Sequence, residues 1–196
     1  MRIASTVFLG LVFGISAAAA GPLHDAAKSG DVEGAKQAVA SHANIGELND
    51  AGEPALIIAA LAGHKDVVLL LLEDGGDINL RNKGGLTALH AAAYGGHLDI
   101  VEMLVAKGAL VNDDKNFYHM SPLHAAAEEG HADVVAFLLA NKADIEAKER
   151  NGYTPLTQAG WRSHWDAAEL MLKAGAVCQE AALVGDWLYG ECTKRK

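Results

Sequence analysis

This chain repeats itself, and nothing else in it limits the possible fold as much. Gly21-Pro22-Leu23-His24, Pro54-Ala55-Leu56-Ile57, Thr87-Ala88-Leu89-His90, Ser121-Pro122-Leu123-His124 and Thr154-Pro155-Leu156-Thr157 begin 33, 33, 34 and 33 residues apart. Most are followed by a small-residue stretch, then Gly-His or a near equivalent, then an apolar run, as in Gly63-His64 before Val67-Val68 and Gly96-His97 before Ile100-Val101. Within a unit, Thr or Ser suits the cap of a first helix, Pro its first turn, and paired Ala a close helix contact. Gly then ends that helix. A second helix follows, with Val67, Val68, Leu71 and Leu72, or Val134, Val135, Leu138 and Leu139, spaced for one buried face. A single such unit cannot bury its own apolar side, so the units must stack into one continuous core with capped ends.

The period and the Thr-Pro-Leu-His signature resemble the ankyrin repeat, over about residues 21 to 177. The resemblance implies an all-α fold: a solenoid of about five helix-turn-helix repeats with short β-hairpin-like fingers and a C-terminal capping segment. The expected divisions are an N-terminal cap repeat at 21–49, repeats at 50–81, 82–115, 116–148 and 149–177, and a C-terminal cap at 178–196 with a closing helix around Glu180 to Trp187. Two residues depart from the family's glycine: Lys142 in the turn after the fourth unit's second helix, and His119 in a finger. A side chain in a left-handed turn costs on the order of 1 kcal/mol, so local strain is expected at Lys142.

Residues 1–20 read differently from the rest. Arg2 supplies a positive charge, Val7 to Ile15 an apolar run, and Ala18-Ala19-Ala20 a small-residue cleavage pattern, so a signal peptide ending before Gly21 and a periplasmic or secreted mature chain are expected. Loss of Arg2 leaves 15 basic against 25 acidic residues, net −10. Such a charge is repelled by phosphate backbones and anionic lipid, so nucleic acid is not an expected partner and a basic or neutral protein is. No stable membrane insertion after cleavage is expected, and the mature chain reads as a monomer. Cys178 and Cys192, the only cysteines, flank the closing segment, and an oxidising compartment favours a structural disulfide between them.

Nine histidines invite a metal site, and His124, Glu128 and His131 lie at helical spacing. The repeat accounts for them better. His24, His90 and His124 hold the fourth signature position, where the resemblance implies hydrogen bonds to a neighbouring repeat; His64, His97, His131 and His164 follow the helix-ending Gly or Ser. Metal ligands must converge, whereas these are spread one per unit, so no metal or other cofactor is expected. No nucleophile, metalloprotease or nucleotide-binding pattern is present, and Glu128-Glu129 reads as a solvated helix edge rather than a catalytic pair. The chain is expected not to be an enzyme. A redox or metal-handling protein using Cys178, Cys192 and the histidines is the competing reading, and a scaffold without a dedicated partner is a third.

The resemblance implies that partners dock on a concave surface made by finger tips and the exposed ends of first helices. The finger positions are Asp50, Ala51 and Glu53; Lys83 and Leu86; Phe117, Tyr118 and Met120; Arg150, Asn151 and Tyr153. The helix-edge positions are Leu61, Tyr94, Glu128 and Trp161. Aromatics and Arg dominate binding hot spots, so Tyr94, Phe117, Tyr118, Met120, Arg150, Tyr153, Trp161 and Arg162 are the expected partner contacts. By resemblance, exported proteins of this kind act as inhibitors or immunity proteins, or as accessory factors of envelope enzymes, including in peroxide resistance.

Overall fold

The computed structural model describes residues 21–195, and the expected signal peptide at 1–20 lies outside the described residues. Within them, ten helices pair into five units: α1 (Pro22–Ser29) with α2 (Val32–Ala40), α3 (Ala55–Ala62) with α4 (Lys65–Glu73), α5 (Ala88–Gly95) with α6 (Leu98–Ala106), α7 (Pro122–Glu129) with α8 (Ala132–Ala140), and α9 (Pro155–Arg162) with α10 (Trp165–Lys173). The odd-numbered helices pack side by side as an inner layer and the even-numbered ones as an outer layer. The expected all-α solenoid is therefore what forms. Among the described residues there is no strand, only one isolated bridge between Leu48 and Pro54 in the first finger.

The helices start as their residues dictate. Ser121 and Thr154 accept from the backbone N–H three residues on, and Thr87 forms a reciprocal capping box with His90. Gly21 and Pro54 offer no capping side chain to the first two units. In consequence His24 Nδ1, which would meet a hydroxyl in the third and fourth units, is buried without a hydrogen-bond partner. Ala59, Ala60, Ala92, Ala126 and Ala159 are wholly buried, which lets neighbouring inner helices approach closely.

Units are tied together by the histidines. Nε2 of His24, His90 and His124 donates to carbonyls of the next finger, at Glu47, at Asp113 and Met120, and at Tyr153. The turn histidines reach back the other way: His64 to Lys28 O, His97 to Leu61 O and His131 to Tyr94 O. This second ladder explains the helix-ending glycine twice over. Gly63 has φ 79°, and a Cβ there would lie 2.6 Å from the His97 ring.

Lys142 has φ 65° and His119 φ 55°, so both side chains occupy left-handed turns given to Gly75, Gly108 and Gly175, or to Gly52, Gly85 and Gly152, in other units; the first unit likewise has a side chain, His42 at φ 63°, where Lys142 stands. Relieving that strain is worth about 1–2 kcal/mol, and glycine's extra unfolded-state freedom takes back about 0.5–1. Lys142→Gly should therefore stabilise the protein by about 0.5–1 kcal/mol, read as a higher urea midpoint at unchanged slope. A lower midpoint would show that the lysine stem is worth more than the strain.

The closing segment differs from the single helix expected around Glu180 to Trp187. Two helices form, α11 (Ala181–Val184) and α12 (Asp186–Arg195), because Gly185 at φ 88° turns the chain between them. Leu188 of α12 packs against Gly160 of α9, where any Cβ would collide with it. Gln179 replaces the missing signature histidine of the fifth unit: its Oε1 accepts from Thr157 Oγ1 and Thr154 N, and its Nε2 donates to Gly152 O. Cys178 and Cys192 are joined in a disulfide across this cap.

Candidate protein-binding face

Each finger is shaped by one side chain. Asn82 Oδ1 accepts from Gly84 N and Leu86 N, Asn116 Oδ1 from Tyr118 N and Met120 N, and the Glu149 carboxylate from Asn151 N and Tyr153 N; Asn49 does the same for Ala51 and Glu53. The fingers then join through their backbones, Lys83 N donating to Gly52 O, Phe117 N to Gly84 O and Arg150 N to Tyr118 O. The tip residues Lys83, Phe117 and Arg150 thus follow one another along a single edge. Arg81 braces that edge, with a bidentate ion pair to Asp113 at 2.8 and 2.9 Å.

Most of the expected contacts come together on this scaffold. Phe117 is 62% exposed, meets Tyr118 edge-on at 5.0 Å between centroids, and carries the Arg150 guanidinium 4.5 Å from its ring. Tyr153, in the next finger, meets Trp161 of α9 at 4.3 Å. Arg162 follows Trp161 in sequence and joins Tyr94, Glu128 and Glu129 of the preceding units in a polar cluster. Tyr94 is half-buried, and burial together with the Glu129 carboxylate pushes its phenol up to about 12.

Two expectations need correction. Met120 is 4% exposed and belongs to the core, not to the face. The last residue of its finger points beneath the inner helices, and the same placement buries Leu86 and Glu53. Glu128 is no solvated edge: it is 4% exposed, and Arg162 Nη2 from the next unit donates to its Oε1 at 2.6 Å. Burial raises the Glu128 carboxyl and the Arg162 hydrogen bond opposes that rise.

Glu53 is the third residue whose depth the register does not reveal. It holds the buried position that Leu86 and Met120 fill in later units, and Asn82 Nδ2 at 3.2 Å is the hydrogen bond that reaches its Oε1. Burial pushes its carboxyl up to about 7. A signal is present in the sequence, since an acid stands where the other units place Leu86, Met120 and Tyr153.

A stack of helix pairs with hydrogen-bonded fingers is the architecture of one class of protein, the repeat solenoids whose fingers and inner helices present an extended surface. The family described as ankyrin repeats (3 copies) matches residues 23–116 and 110–181, and the chain belongs to that family. Ankyrin repeats are in general protein–protein interaction modules. No curated protein matches the chain. Among the described residues no helix is long and apolar enough to cross a membrane.

Proposed function

We propose that this chain is an exported, non-enzymatic binding module that docks a protein partner on the face formed by Phe117, Tyr118, Arg150, Tyr153 and Trp161. Its work is that of an inhibitor or immunity protein, or of an accessory factor to an envelope enzyme such as one concerned with peroxide resistance. The observation that carries this reading is that four aromatic rings and an Arg guanidinium stand on neighbouring fingers and α9 at a partly exposed surface, in two contacting groups: Phe117 with Tyr118 and Arg150, and Tyr153 with Trp161. Large rigid rings and Arg are the groups that concentrate binding energy at interfaces. Export rests on the pattern of residues 1–20 and on a disulfide, a bond that persists in oxidising compartments.

Pull-down from the native envelope, followed by affinity measurement on purified protein, tests this. Tyr118→Ala and Trp161→Ala should each weaken partner binding by about 2 kcal/mol while changing stability by much less. If both variants melt much earlier yet bind normally at low temperature, the rings are packing residues and the face is misassigned. Intact-mass measurement checks export: a mature chain beginning at Gly21 is expected, and a membrane-bound chain retaining residues 1–20 would refute it.

A further inference from the structure

The finger edge has a charge opposite to that of the whole chain. Net charge over the chain is −9, yet segments 81–85, 114–119 and 148–152 expose Lys83, Lys115, Lys148 and Arg150 against one exposed acid, Asp114. None of these four cations takes part in an ion pair among the described residues. Two of the neighbouring acids are committed elsewhere, while Asp114 and Glu146 remain exposed, Glu146 accepting from Val177 N. Asp113 is held by Arg81, and Glu149 is buried, accepting from Asn151 and Tyr153. Phe117, the most exposed aromatic of the fingers, stands between Lys83 and Arg150 on the hydrogen-bonded edge. The first finger ends the pattern with the exposed acid Asp50.

From this juxtaposition we infer that the edge Lys83–Phe117–Arg150, with Lys115 and Lys148 beside it, is the docking site for an acidic, extended segment of a protein partner, which also offers an apolar side chain to Phe117. The inference rests on the proposed binding face and specifies its partner, replacing the basic or neutral partner that net charge alone suggests. Stacked units are spaced about 10 Å apart, so the edge spans about 20 Å from Lys83 to Arg150. An extended chain covers that distance in about six residues. Complementary charge across such an edge steers encounter and fixes register, and Phe117 supplies the apolar anchor.

The test uses purified protein and fluorescein-labelled peptides of about ten residues, one built of Glu-Glu-Leu repeats and one with Lys in place of every Glu. Fluorescence anisotropy should show binding of the acidic peptide that weakens as salt is raised, with little binding of the basic one. Lys83→Glu combined with Arg150→Glu should weaken it about tenfold or more without lowering the melting temperature, since both side chains are exposed. Phe117→Ala, which leaves all the charges in place, should weaken it as well. Equal or tighter binding of the basic peptide, or indifference to the double charge reversal, would overturn the assignment. So would self-association of the chain that the reversal abolishes, since the edge would then serve a second copy. If neither peptide binds while a partner captured from the envelope still loses affinity with Trp161→Ala, the acidic segment is wrong and the binding face stands; loss of neither interaction in the variants removes both.

Discussion

Glu53→Gln should stabilise the protein by about 3 kcal/mol at pH 8 and by little at pH 4.5. The carboxyl titrates near 4.5 in the unfolded chain and at about 7 in the fold. Well below pH 4.5 it is protonated in both states and costs nothing. As pH rises from 4.5 through 7, the unfolded chain releases the proton first, and stability falls; above pH 7 the penalty is complete. Glutamine is close in shape, keeps an oxygen to accept from Asn82, and cannot ionise. Urea denaturation of both proteins at the two pH values measures the effect. His90 and His124 act in the opposite sense, because burial lowers both, His124 to about 4, so the fold loses stability as pH falls from the ordinary histidine range. Both proteins carry those histidines, and the difference between them isolates Glu53. An equal gain at both pH values, or a loss at pH 8, would show that the carboxylate is better solvated than its burial implies. Glu53→Leu, matching the residue at the equivalent position in the next unit, should share the pH dependence.

The second large effect is at the C-terminal cap. Cys192→Ser opens a loop whose ends are 14 residues apart, and the chain-entropy account puts the loss at about 3 kcal/mol. The consequence should be local first. The cap meets the fifth unit through Leu188 on Gly160, through Gln179 on Thr157, and through the contact of Trp165 with Trp187 at 6.4 Å. In a solenoid each unit is supported mainly by its neighbours, so a loosened cap frays the last unit before the others. Hydrogen exchange should rise in α11, α12 and α9 ahead of α3 and α5, and the melting temperature should fall. Partner affinity well below the melting range should stay nearly unchanged. Strong loss of binding in a variant that remains folded would mean that the cap contributes to the binding face.

These two sites divide the legible from the illegible. The cysteine pair can be read in the sequence, since both residues stand alone in the segment that leaves the repeat pattern. Glu53 can be placed in register but not in depth. Its position is the finger's last residue, and the periodic pattern does not say whether that side chain points to the partner face or beneath the inner helices. The same ambiguity puts Met120 on the wrong side. Glu128 shows a further limit: its own helix leaves it at an edge, and the guanidinium that covers it belongs to Arg162 of the following unit.

The architecture is written in the chain itself, as a 33-residue period with a cap, a small-residue helix contact, a helix-ending glycine and an apolar second helix recurring from unit to unit. Those signals are local, and a unit that cannot bury its own face has stacking as its stable solution. Everything made between units is settled by the packed molecule instead. The return ladder of His64, His97 and His131, the joined finger edge, the depth of Glu53 and Met120 and the covering of Glu128 each depend on a side chain or backbone group supplied from another unit, about 30 residues away in sequence. Burial at the margin of a repeat is set by what its neighbour happens to place there, and a periodicity shared by all the units carries no record of that.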